Sequence, residues 1–181
     1  MKYSVVLCAS ALAACSSDPQ VDARNASADE VERQVAAAGG TSKFVRPGMW
    51  ESTFTVEEVS MTGLARAYAP NIDATVGRPR TERSCMTGED AESPGAGLFT
   101  GDDKHCRYQR FTMGGGKVDA VVRCNSAGKG QTLTLQGSYS PESYQMRMAM
   151  DVPAGAGVPA GMNMKMRVDA KRVGECDGKI I

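Results

Sequence analysis

Three consecutive glycines, Gly114-Gly115-Gly116, split the segment HCRYQRFTMGGGKVDAVVRC (residues 105–124) into two arms rich in β-branched and aromatic side chains. Glycine supplies the positive φ that a tight reversal needs, so the segment reads as a β-hairpin. With the reversal centred on Gly115, Met113 faces Lys117, Tyr108 faces Val122 and Cys106 faces Cys124. Opposed residues on antiparallel strands have α-carbons about 4.5–5.5 Å apart, within reach of a disulfide. The hairpin is therefore expected to be stapled at its open end.

The remaining cysteines sort by position. The chain opens MKYSVVLCASALAAC, with Lys2 for the positive end of a secretory leader, an apolar run to Leu12, and small residues after it. Leu12-Ala13-Ala14-Cys15 resembles a bacterial lipobox, which predicts a lipoprotein signal peptide over 1–14 and a mature chain acylated (palmitate-type lipid) on Cys15. Ser16 follows where an aspartate would favour inner-membrane retention, so the expected address is the outer membrane, facing the periplasm. Cys8 leaves with the leader, and Cys85, Cys106, Cys124 and Cys176 remain. An even set in an exported chain points to disulfides, and no C-x-x-C pair suggests a zinc knuckle or redox site. With Cys106 joined to Cys124, Cys85 is left for Cys176, closing a loop of roughly 90 residues worth on the order of 4 kcal/mol.

Charge excludes a class of partner. Of 21 basic and 21 acidic residues, Lys2 goes with the leader, leaving 20 against 21, a net charge of −1 with no footprint for nucleic acid. Nothing in the sequence implies a cofactor. No apolar run approaches the ~20 residues of a membrane-spanning helix, so contact with the membrane is expected through the lipid anchor alone.

Residues 16–43 are polar and alanine-rich. Ser27 and Glu30 have capping-box spacing, and Val31, Val35 and Ala38 share one helical face before Gly39-Gly40, so a short helix is expected in a lipidated tether over 15–43. From residue 44 to 181 strand alternation takes over. In 46–59 Trp50, Phe54 and Val56 oppose Glu51, Thr53 and Thr55; 61–77 reads as a long loop and 78–85 as a short edge strand. The acidic cluster Glu89, Asp90, Glu92, Asp102 and Asp103 lacks the D-x-D-x-D-G alternation of a calcium loop and reads as a solvated loop. After the hairpin, 132–139, 144–152 and 162–173 alternate, joined by the turn Ser140-Pro141-Glu142-Ser143 and a Gly/Pro/Ala loop over 153–161. Short connections between successive strands predict an all-β antiparallel meander, closing as a strongly curved sheet or small barrel, with two disulfides.

The order of landmarks RPGMWE, CMTGEDA, the glycine hairpin, GSYSPESYQMRMAM, MNMKMRV and RVGEC resembles the family called domain of unknown function 3617, over residues 46–176. The resemblance implies an exported or lipid-anchored envelope protein of Gram-negative bacteria, with the four-cysteine framework and no established activity or site residues to carry over.

Two residue types bear on chemistry. His105 is the sole histidine; with a nearby acid and hydroxyl it would give a hydrolase, but no G-x-S-x-G elbow accompanies it. Met146, Met148 and Met150 on one strand and Met162, Met164 and Met166 on the next recur with period two. Adaptable core filler is the leading explanation, an apolar ligand pocket the second, and a Cu(I) site the third, since thioethers select soft metals. The functional expectation is a non-enzymatic envelope protein binding a protein partner or an apolar envelope molecule, with copper handling through the methionines and His105 hydrolysis as alternatives.

Overall fold

The computed structural model describes residues 20–39, 44–62, 75–88, 105–126, 129–154 and 161–176. The leader, Cys15, the acidic loop and residues 155–160 lie outside them.

One antiparallel sheet of eight strands organises the chain, in the spatial order β1-β4-β5-β6-β7-β8-β2-β3. Among the described residues the strands are β1 (Val21–Ser27), β2 (Gly48–Thr62), β3 (Arg80–Met86), β4 (Cys106–Gly114), β5 (Lys117–Ser126), β6 (Lys129–Ser140), β7 (Ser143–Val152) and β8 (Gly161–Gly174), and the helix α1 (Ala28–Ala37) lies between β1 and β2. From β4 to β8 the sheet is the expected meander. It stays open: β1 and β3 form its two edges, so of the two expected closures the sheet is realised and the barrel is not.

The glycine hairpin differs from expectation in an instructive way. Gly115 and Gly116 both take positive φ, 56° and 73°, so the reversal is a two-residue loop and Met113 pairs with Val118 rather than Lys117. That one-residue offset would carry Cys106 past Cys124. A β-bulge between Tyr108 and Arg110 shifts the register back, restoring Tyr108 opposite Val122 and Cys106 opposite Cys124. The bulge also explains why Cys106, Tyr108 and Phe111 are all buried, although strict alternation would turn Phe111 outward.

β1 was expected to be tether, and is instead an edge strand paired with β4. Its pattern copies the bulge of its neighbour: Val21, Ala23 and Ala26 are buried, while Asn25, at φ 50°, absorbs the extra residue and receives a hydrogen bond from Arg107 on its amide oxygen at 3.2 Å. α1 follows as the Ser27 cap predicts, the hydroxyl accepting from the Glu30 amide at 3.2 Å, a contact worth about 1 kcal/mol. Val31 and Val35 are buried against β1 and β4 together with Phe44, Tyr108, Phe111, Val122 and Leu135. Segment 20–39 is thus part of the core.

The two disulfides form as paired from the sequence, Cys85–Cys176 and Cys106–Cys124. The first ties edge strand β3 to the residues after β8; the second lies within the core cluster.

Candidate functional site

Two places gather the chemistry-bearing residues. The first is the corner where the landmark segments meet. The carbonyls of Arg46 and Pro47 accept from the Trp50 indole at 3.1 Å and the Arg172 Nε at 2.7 Å, and Arg46 pairs with Glu142 at 2.6 Å. The Arg46 and Arg172 amides donate to the carbonyls of Pro141 and Glu142, each at 2.9 Å, and Arg172 also pairs with Glu175. Gly48 sits among them at φ 142°, where a Cβ would come within 2.5 Å of the Gly174 carbonyl and the Arg172 Nε. Trp50 is 1% exposed and stacks on Tyr144 with ring centroids 5.3 Å apart, and the Tyr144 hydroxyl meets Ser52 at 3.2 Å. Each polar group named is satisfied by another part of the chain, so this corner fastens β2, the β6–β7 turn and the end of β8 to one another.

The second is the sheet face carrying the methionines. Register places Leu133, Met150, Met164 and Val59 side by side across β6, β7, β8 and β2, and Leu135, Met148, Met166 and Val56 in the next rib. Met162 lies opposite Val152 and Met61 beyond them. A bulge in β2 between Val56 and Glu58 makes this possible. Without it, alternation would bring Glu58 onto the apolar face; with it, Val59 and Met61 take that side and Glu58 pairs with Lys165 at 2.6 Å on the other. The Val56 carbonyl at the bulge accepts from Gly77 at 2.8 Å.

These methionines are not buried filler. Met146 and Met148 pack against the edge of the core, but all six, with Val56, Val59 and Val152, are only half-buried, and Met61 is 36% exposed. α1 covers the β1–β4 side of this face; over β7, β8 and β2 no described element does so. The face extends from Tyr144 to Val152, about 26 Å at 3.3 Å per residue, and four strands wide, about 14 Å. Polar groups are sparse on it. Gln131 is one, its amide donating to the Met150 sulfur at 3.0 Å.

The opposite face is polar and largely self-neutralised. Glu51 lies between Arg83 and Lys171, whose hydrogen bonds hold its carboxyl below the usual carboxylate range. Burial pushes the Asp119 carboxyl up, but hydrogen bonds from Gln136 and Arg110 outweigh it and the net direction is down. A shallow depression of about 470 Å³ runs over this face beside Glu51, Thr53, Gln145, Asp169 and Lys171. Arg167 Nε lies 2.9 Å from Asp169 without a hydrogen-bonding direction, so that contact is an ion pair alone. His105 is exposed at the start of β4, its carbonyl accepting from the Asn125 amide at 3.1 Å, next to a cysteine committed to a disulfide. Among the described residues no three His, Cys, Asp or Glu side chains group to hold a metal, and no helix is long and apolar enough to cross a membrane.

The structure thus brings the six methionines together and leaves His105 apart from them. Sequence reasoning missed Val59 and Met61 as members of the face; the change of parity from Val56 to Val59 was the available signal, and it requires a bulge.

The chain is thus a disulfide-stapled open antiparallel sheet with α1 over one part of its apolar side and half-buried methionines on another part. The chain belongs to the family described as a protein of unknown function, DUF3617, whose model matches residues 45–176. No curated protein and no solved structure matches it.

Proposed function

We propose that this is a lipid-anchored, non-enzymatic envelope protein, held by acylated Cys15 at the periplasmic side of the outer membrane, that binds the acyl chain of an apolar envelope molecule. The observation that carries the reading is the half-exposed methionine face. Burying apolar surface is favourable by roughly 25 cal/mol per Å², and an apolar face of this extent that no described element covers calls for an occupant. Methionine suits a flexible one, since unbranched thioether side chains rearrange around whatever lies on them. The scarcity of hydrogen-bonding groups across the ribs argues for a hydrocarbon over a sugar or peptide backbone, which would need donors and acceptors matched. A lipid anchor would hold this face close to a source of acyl chains.

The test is displacement of a fluorescent fatty acid from the purified mature protein by saturated fatty acids of increasing length. Each fully buried methylene contributes about 0.8 kcal/mol, and a chain lying on an open face buries about half of that, so lengthening from 12 to 16 carbons should tighten binding about 15-fold. Met164→Gln, placing an amide in the middle rib, should weaken it by about tenfold. Affinity independent of chain length, or unchanged by that substitution, overturns the reading; a protein co-purifying on the same face and competing with fatty acid would assign the face to a protein partner. Mass spectrometry of the exported chain tests the anchor, since an unmodified Cys15 removes it.

A further inference from the structure

Four thioethers on this face stand in a closed block. Met148 is the direct cross-strand partner of Met166, and Met150 of Met164, so the four occupy adjacent positions on one side of β7 and β8. Directly opposed Cβ atoms are about 5 Å apart and diagonal ones about 7 Å, distances that the long methionine side chain closes easily, so three sulfurs can converge on one point above the strands. The surroundings favour that convergence. All four side chains are half-buried, and their flanking partners in the two ribs are Leu133, Leu135, Val56 and Val59; the Gln131 amide engages the Met150 sulfur at 3.0 Å, which leaves Met148, Met164 and Met166 as the three unengaged by that bond. No carboxylate or imidazole stands in these ribs to attract a harder cation.

We infer that the block formed by Met148, Met150, Met164 and Met166 is a binding site for a soft monovalent metal ion, Cu(I), held by three thioethers. Thioether sulfur is a soft neutral donor that prefers Cu(I) over Cu(II) and Zn(II), and a site of sulfur alone in an apolar setting discriminates against oxygen-seeking cations. The donors carry no proton. Binding therefore releases none, and its affinity is flat between pH 5 and 8, unlike a site built from cysteine or histidine, whose ligands must first deprotonate. The ion arrives already reduced, so no electron transfer accompanies binding. This goes beyond the acyl-chain reading and does not depend on it: fatty-acid displacement can succeed or fail without changing the metal result.

The experiment is anaerobic titration of the disulfide-intact mature protein with Cu(I) against a chromogenic Cu(I) chelator, at pH 5 and pH 8. One equivalent bound with micromolar or tighter affinity, the same at both pH values, is expected, with Cu(II) and Zn(II) not retained. The double variant Met148→Leu/Met166→Leu, nearly volume-conserving, leaves two thioethers in the block and should weaken binding at least tenfold, whereas Met113→Leu, a methionine outside the block, should leave it unchanged. X-ray absorption of the copper-loaded wild-type protein should show a first shell of sulfur alone and needs no variant to fold. Failure to compete with the chelator, affinity rising steeply with pH, nitrogen or oxygen in the first shell, unchanged affinity in Met148→Leu/Met166→Leu, or a loss in Met113→Leu equal to that of the double variant would each overturn the assignment.

Discussion

The two disulfides close loops of very different length, and the difference can be measured. Cys85 and Cys176 are 91 residues apart and Cys106 and Cys124 are 18 apart. In the chain-entropy model a cross-link of the longer span restricts the unfolded chain by about 4.6 kcal/mol and the shorter by about 3.2 kcal/mol, a gap of about 1.4 kcal/mol. Packing would obscure this if the cysteines were simply replaced, because Cys106 and Cys124 are 4% and 9% exposed within the core whereas Cys85 and Cys176 are half-exposed. The clean comparison uses two proteins, C85A/C176A and C106A/C124A, each unfolded in urea with its remaining bridge oxidised and again reduced. The thiols stay in place in each comparison and behave as small apolar groups, so the core is nearly constant. With a urea slope near 2 kcal/mol per molar, reduction of the long bridge should lower the midpoint by roughly 2.3 M and reduction of the short one by roughly 1.6 M. Reduction should also steepen the slope, more for the long loop, because the freed unfolded chain exposes more surface. Equal losses, or a larger loss from the short bridge, would refute the argument that these bridges act by confining the unfolded chain.

Gly48→Ala places a methyl group against the Gly174 carbonyl at a backbone φ of 142°, and should cost about 2–3 kcal/mol in urea unfolding, with Gly115→Ala, where nothing lies within 4 Å of the added carbon, costing less. Val35→Asp buries an unpaired carboxylate beneath α1; hydrogen exchange should then quicken in β1 and α1 well before it does in β7 and β8. The Glu51 carboxyl is held below its ordinary 4.5 by Arg83 and Lys171, so its contribution is present above that value and is lost as pH falls through the lowered one; Glu51→Gln should flatten the acid limb of the stability profile. Burial pushes the Tyr108 phenol up to about 12 from 10.0, so stability tied to its neutral form is full below pH 10 and falls as pH rises from 10 toward 12; Tyr108→Phe should remove that alkaline loss, read by thermal melts across the range.

Most strands were legible because their alternation is strong. Residues 144–152 and 162–173 give β7 and β8 nearly to the residue, and the capping pair Ser27 and Glu30 gives α1 its start. What escaped did so for different reasons. β1 reads VDARNAS, with only Val21, Ala23 and Ala26 turned inward, and its alternation is broken at Asn25; small buried residues carry too little hydrophobic signal to mark a strand. The hairpin register was read correctly at the cysteines although its centre was misplaced, because the turn and the Tyr108–Arg110 bulge shift it by one residue in opposite senses. Alternation placed all six methionines on one face, but which half of a face a helix covers depends on pairing between distant segments, and periodicity within one strand holds no information about that.

The pairing of β1 with β4 has its own consequence. Both disulfides of the described residues lie downstream of residue 39, so backbone scission between Gly39 and Phe44 would leave residues 20–39 attached by a strand ladder and a few buried valines, with neither bridge holding them. Such a peptide could dissociate and be added back, making the molecule a natural two-piece complementation system. The vacated rim of β4 would accept the same arm from a second copy as readily as from its own.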